Sequence, residues 1–132
     1  MKACVLDASA AVLFLSKGRN YERVAALVKK AAQGEARLVI STVNWGEALY
    51  SLAKSAGLGT ATSDLKAMSV FVESVVVDEA LAEAAAAIKL HYRLGYADCF
   101  AAALAMRMNA TLVTSDPDFA KLGKKLKILA LG

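Results

Sequence analysis

Apolar residues fall in two rhythms along this chain. Five short runs, "KACVLD", "ARLVIS", "SVVVD", "ATLVTSD" and "LKILAL", are apolar nearly throughout and rich in strand formers, the pattern of strands covered on both faces. Between them the spacing is helical. In "NYERVAALVKKAAQG", Val24, Leu27, Val28 and Ala31 share one face, Glu22, Lys29, Lys30 and Gln33 lie elsewhere, and Gly34 closes the segment. "ASAAVLFLSKG" is expected to be helical up to a C-cap at Gly18, and "TVNWGEALYSLAKSAG" up to Gly57. A further helix is expected from Ser63, as N-cap, through Val72, and another over "EALAEAAAAIKLHYRLG" ending at Gly95. "YADCFAAALAMRMN" is apolar almost all round, which marks a buried helix, and "PDFAKLG" makes a short helical turn.

Strands alternating with helices predict an α/β domain, a three-layer α/β/α sandwich around a mainly parallel sheet of about five strands. No repeat, low-complexity tract or Pro/Gly-rich linker divides residues 1–132, so they read as a single domain, long enough to bury a core without disulfides. Charges interrupt every long apolar run. The longest, from Asp98 to Val113, contains Arg107 and Asn109 and falls short of the ~18–20 uninterrupted apolar residues of a membrane span. The start "MKACVLDASA" has the lysine and short apolar stretch of a signal peptide, but Asp7 interrupts it, and a cytoplasmic protein without membrane association is expected. Cys4 and Cys99 form no CxxC and no zinc spacing. They read as two small buried hydrophobes, with a disulfide as the alternative.

The net charge of +4 is compatible with a polyanionic partner without demanding one. Its distribution is more telling. Lys17, Arg19 and Arg23 follow the first helix, and after Asp118 the chain carries Lys121, Lys124, Lys125 and Lys127 and no acid.

Three acids stand where acids are costly. Asp7 ends the first strand, Asp116 ends the fourth, and Asp98 begins the most apolar helix, sharing a face with Ala102 and Ala105. Each has an ordinary explanation. Asp7 would N-cap the helix starting at Ala8, Asp116 would cap the turn that opens with Pro117, and Asp98 would be a first-turn acid favoured by the helix dipole. Ligand sites of open α/β sheets form beyond the carboxyl ends of the strands, where strand order reverses. If strands one and four are neighbours, Asp7 and Asp116 meet at that edge. Carboxylates converging in such a crevice raise one another's pKa, and a divalent cation resolves the conflict. All-oxygen ligation, with a lone histidine and no paired cysteines, suits Mg²⁺ or Mn²⁺, and such sites serve phosphate chemistry. Glu47 is the weakest of the acids: with Trp45, Leu49, Leu52 and Ala56 buried, it reads as an exposed helix residue.

The motifs "VLDASA", "NWGEALY", "GYADCFAAALA" and "LVTSDPDF" resemble, in order and spacing across the whole chain, those of PIN-domain ribonucleases, specifically the VapC toxins of prokaryotic toxin–antitoxin pairs. Carried over residue by residue, that family's acidic quartet falls on Asp7, Glu47, Asp98 and Asp116. Asp7, Asp98 and Asp116 would hold one or two Mg²⁺ or Mn²⁺ ions, and Glu47 would orient water or complete a second ion's shell. Ser9 and Thr114 match positions where the family places small polar residues, and Asp118 reads as a turn residue. The resemblance implies an endoribonuclease acting on structured RNA, a homodimer, and inhibition by a cognate VapB-like antitoxin. Arg19, Arg23, Lys121 and Lys124 would then be candidates for the phosphate-binding rim.

His91 stands alone on a mid-chain helix, which argues against a metal-free mechanism built on histidine acid–base catalysis. Other classes remain beside this reading. One is a PIN nuclease of RNA processing or quality control. Another is a phosphatase with Asp7 as nucleophile, although Ser9 stands where such enzymes usually carry a second Asp. A third is a binding module that keeps the fold without the activity.

Overall fold

A computed structural model describes residues 2–132. Five strands form one sheet: β1 (Lys2–Leu6), β2 (Ala36–Ser41), β3 (Val72–Val75), β4 (Thr111–Thr114) and β5 (Lys127–Ala130). The spatial order is β3-β2-β1-β4-β5 and every neighbouring pair is parallel. Six helices connect them: α1 (Ala8–Leu15), α2 (Tyr21–Ala32), α3 (Thr42–Ala56), α4 (Leu58–Met68), α5 (Glu79–His91) and α6 (Tyr96–Met108). A 3₁₀ segment, Pro117–Lys125, links β4 to β5.

The two-residue period of the strands divides the core. Cys4, Leu6, Leu38, Ile40 and Val113 face one side, where Val24, Leu27, Ala48, Leu52 and Leu65 of α2, α3 and α4 cover them. Val5, Val39 and Leu112 face the other, against Leu81, Ile88, Phe100 and Leu104 of α5 and α6. This is the expected α/β/α sandwich. Cys4 and Cys99 are both free and buried, in the two different layers. Among the described residues no helix is long and apolar enough to cross a membrane.

Most elements fall where the hydrophobic pattern puts them; four boundaries and one buried face do not. The first helix stops at Leu15 with Ser16 as its C-cap rather than at Gly18, because Lys17 takes a φ of +52° and the Gly18 amide turns back to donate to the Leu13 carbonyl at 2.8 Å. The helix expected from Ser63 begins five residues earlier, at Leu58, because Gly57 takes a φ of +86° and turns the chain directly from α3 into α4. Ala61, Leu65 and Met68 then form its buried face, and Ser63 is an exposed interior residue rather than a cap. The third strand lies at Val72–Val75, not over "SVVVD", and Val72 belongs to it rather than to α4. Its ladder runs from Leu38↔Val72 to Ser41↔Val75, and β2 ends at Ser41, so Val76 and Val77 leave the ladder, the Val77 amide donating to Thr42 Oγ1 at 3.3 Å instead, and Asp78 becomes the N-cap of α5. α5 stops at His91 instead of Gly95, since Leu94 turns back into the core at 2% exposure and Gly95 caps the start of α6. Finally, the buried side of α3 is Asn44, Ala48 and Leu52; Trp45 and Leu49 are half-buried and Ala56 is exposed.

Candidate active site

β1 and β4 are neighbours, in register Leu6↔Val113, so the residues just past their ends are adjacent. The chain leaves β1 to one side through β2 and β4 lies on the other, which makes this edge the point where strand order reverses. Asp7 sits there at 2% exposure and N-caps α1. Its Oδ1 accepts from the Ala10 amide at 2.9 Å and from Ser9 Oγ at 2.6 Å, and its Oδ2 accepts from Thr114 Oγ1. The two hydroxyls are themselves held by β4's exit: Ser9 Oγ accepts from the Ser115 amide at 3.0 Å, and Thr114 Oγ1 from the Asp116 amide at 2.9 Å. The carboxylate therefore has its orientation set from three directions. Burial pushes its pKa up, opposed by these hydrogen bonds and reinforced by Asp116.

Asp116 caps the 3₁₀ segment, its Oδ1 accepting from the Asp118 amide at 2.9 Å with Pro117 at the first position. Asp118 is exposed and pairs with Lys121 at 3.8 Å, the turn residue its sequence context predicts. Capping and membership of the cluster are thus compatible: the cap engages Oδ1 of Asp116, and the residue also lines the cavity.

Asp98 lies half-buried in the first turn of α6, and no hydrogen bond ties its carboxylate among the described residues. A Cβ at position 95 would stand in van der Waals contact with its Oδ2, at 3.4 Å. Burial, followed by the charges of Asp116, Asp7, Glu47 and Asp118, pushes its pKa up to about 7. Glu47 is raised in the same way, by burial and then by Asp7, against the polar Asn44 side chain nearby.

These four acids line one cavity of about 600 Å³ at the carboxyl edge of the sheet. Among the described residues no three His, Cys, Asp or Glu side chains close around a common point, so as placed they form an acidic basin rather than a finished ligand cage. The donor chemistry nevertheless suits a hard cation. Every donor is a carboxylate or hydroxyl oxygen, the acids raise one another, and Mg²⁺ keeps several waters that bridge to carboxylates beyond its inner shell.

Sequence reasoning missed several residues here. Asn44 is fully buried; its Oδ1 accepts from Ser41 Oγ at 2.6 Å and its Nδ2 donates to the Ala97 carbonyl at 3.0 Å. It thereby ties α3 to the residue before Asp98 and fixes the distance between the helices that carry Glu47 and Asp98. A small polar residue three positions after the Ser41 N-cap was the available signal. Asn44→Ala is expected to lower stability by ~1–3 kcal/mol, the cost of stranding buried polar partners, read as a shifted denaturant midpoint. Tyr50, Ser51 and Lys54 also line the cavity. None of the four basic residues expected at a phosphate-binding rim lines this cavity. The Arg23 guanidinium donates to the Ala130 carbonyl and Lys121 Nζ to the Arg93 carbonyl, while Lys124 lines a separate cavity with Lys125 and Lys127. Arg19 is exposed, next in sequence to the cavity-lining Gly18. His91 is exposed at the end of α5.

Compared with known proteins, residues 4–125 match the family described as PIN domain. No curated protein sequence matches the chain significantly. Among solved structures it resembles VapBC from Salmonella typhimurium in a DNA-bound crystal structure, with a TM-score of 0.78 at 17% identity, over 100% of both chains. VapBC2 from Rickettsia felis, bound to a DNA fragment from its promoter, gives 0.76 at 20%, over 98% of this chain and 99% of that one. VapC20 from Mycobacterium tuberculosis, described as a toxin that cleaves the sarcin–ricin loop, gives 0.68 at 16%, over 91% and 95%. Identities this low establish a shared fold.

Proposed function

The chain belongs to the PIN-domain family, and from that premise we propose that it is a Mg²⁺- or Mn²⁺-dependent endoribonuclease, the toxin of a VapBC-type pair restrained by a VapB-like antitoxin. The observation that carries this is the gathering of Asp7, Glu47, Asp98 and Asp116 around one cavity at the sheet's switch point. The toxin role is supported by similarity along the full chain to proteins crystallised as VapBC, and the RNA substrate by similarity to a toxin described as cleaving the sarcin–ricin loop. A homodimer in the cytoplasm is part of the same reading.

Asp7, Asp98 and Asp116 would hold the cation, directly or through water. When bound, it supplies the Lewis acidity that activates water for in-line attack and offsets charge on the scissile phosphate. The chain's own contribution is positional. Ser9, Thr114 and the α1 amide hold Asp7 rigid, leaving its remaining Oδ2 lone pair for the cavity. Asp98, with its pKa pushed up to about 7, would give up its proton in favour of a cation near neutral pH. Glu47, which lines the same cavity from α3, would orient the attacking water. The products are 5′-phosphate and 3′-hydroxyl ends.

The test is cleavage of a structured RNA with metal titrated and product ends mapped. Activity should vanish with a chelator and return with Mg²⁺ or Mn²⁺. Cleavage that persists in chelator, or that leaves 2′,3′-cyclic phosphate, refutes the mechanism.

A further inference from the structure

We propose that Tyr50 and Lys54 form a wall on which a nucleotide flanking the scissile phosphate docks; this rests on the nuclease reading above. Glu47, Tyr50, Ser51 and Lys54 recur at three- and four-residue spacing, so they make one stripe along α3, and all four line the acidic cavity. The stripe changes character along its length, from carboxylate to phenol ring to ammonium. Lys54 is the single cationic residue lining that cavity, and its Nζ stands 5.0 Å from the centroid of the Tyr50 ring. The ion pairs among the described residues are Arg37–Glu73, Arg107–Asp78 and Lys121–Asp118, so Lys54 is committed to no acid.

Tyr50 is 66% exposed, whereas the residues α3 gives to the core are Asn44, Ala48 and Leu52. The ring therefore does little for this domain's own packing. A nucleic acid strand offers what the pair accepts: a base whose face stacks on the phenol ring, and a phosphate for the ammonium. The acids create the need. Four carboxylates around one cavity repel an incoming backbone, and neutralised phosphates supply most of the affinity for nucleic acid. Lys54 lies seven residues beyond Glu47, ~10 Å along the helix axis, so it reaches a phosphate beside the one under attack. Stacking on Tyr50 requires an unpaired base, so the wall selects a single-stranded segment at the cleavage point.

The test uses the full chain. In an Asp7→Asn background without metal, anisotropy of a labelled single-stranded RNA oligonucleotide reports docking apart from chemistry. Tyr50→Ala should weaken binding about 5- to 100-fold, while Tyr50→Phe, which keeps the ring, should bind like its parent. Lys54→Gln should reduce the slope of log affinity against log salt by ~0.7, and Lys54→Arg should retain it. In the active chain Tyr50→Ala and Lys54→Gln should raise KM more than they lower kcat. If the wild type cleaves RNA but affinity, salt slope and KM are unmoved, the wall is rejected and the nuclease reading stands. Equal losses in Tyr50→Ala and Tyr50→Phe also reject the stacking role. A wild type that neither binds nor cleaves RNA rejects both.

Discussion

Asp7→Asn is expected to leave a folded protein that no longer cleaves RNA. The substitution changes charge and almost nothing else. Asparagine's Oδ1 can accept from the Ala10 amide and Ser9 Oγ as Asp7 does, and its amide can donate to Thr114 Oγ1 once that hydroxyl rotates. The N-cap of α1 and the link to β4 therefore survive. The negative charge does not, and it is the property a divalent cation needs from this position. Activity is expected to fall at least about 10²–10³-fold, the scale for losing one preorganised electrostatic group. Burial disfavours the Asp7 carboxylate, so the melting temperature of the metal-free variant should equal or exceed the wild type's. Asp7→Ala serves as the contrast: it loses the cap as well, ~1 kcal/mol of stability. Full activity in the Asn variant would remove Asp7 from the mechanism and leave it a cap alone.

Asp98→Asn should produce a comparable loss of activity together with a pH-dependent gain in stability. In the folded, metal-free chain Asp98 keeps its proton up to about pH 7, whereas an unfolded aspartate loses it near ~3.9. Between those values the folded state binds the extra proton, so stability falls as pH rises and levels off above the folded pKa. Asparagine cannot ionise and escapes that fall. In chelator, the two proteins should melt together only near pH ~4, at the unfolded pKa, and the variant should melt progressively higher as pH rises to 8. The group is only half-buried, so the gain is on the order of 1 kcal/mol after allowing for solvent screening, or ~3–5 °C. Adding Mg²⁺ should restore the wild type's stability at pH 8 and raise the variant's less, because the variant offers the cation one carboxylate fewer. A stability gap that is flat from pH 5 to pH 8 would show that the four acids do not act on one another.

The strands β1, β2 and β4 and the helices α2, α3 and α6 were legible because local sequence carries their full signal. Their apolar period is unbroken, and a glycine, asparagine or capping acid marks most of their ends. α4, β3 and the end of α5 were not, since their boundaries are set by partners distant in sequence. β3 stops at Val75 because β2 has no residue beyond Ser41 to pair with, and α5 stops at His91 because Leu94 is drawn into the core. The acids divide in the same way. Asp7, Asp98 and Asp116 stand out in one dimension as charges in apolar surroundings. Glu47 does not: its place on the cavity wall depends on how α3 rotates against the sheet, and only the family resemblance singled it out. Asn44, Tyr50 and Lys54 drew no notice for the same reason.

The chain's hydrophobic pattern by itself determined the fold class, the layering and the presence of three acids at positions where burial makes charge costly. Periodicity and desolvation are local properties that each segment carries with it. That β4 lies beside β1, so that Asp7, Thr114 and Asp116 share one hydrogen-bonded corner, was decided only by the tertiary structure. So was the rotation that turns Glu47, Tyr50 and Lys54 toward that corner. Strand pairing and helix rotation depend on packing among residues about a hundred positions apart, as with Asp7 and Thr114, and no single segment encodes them.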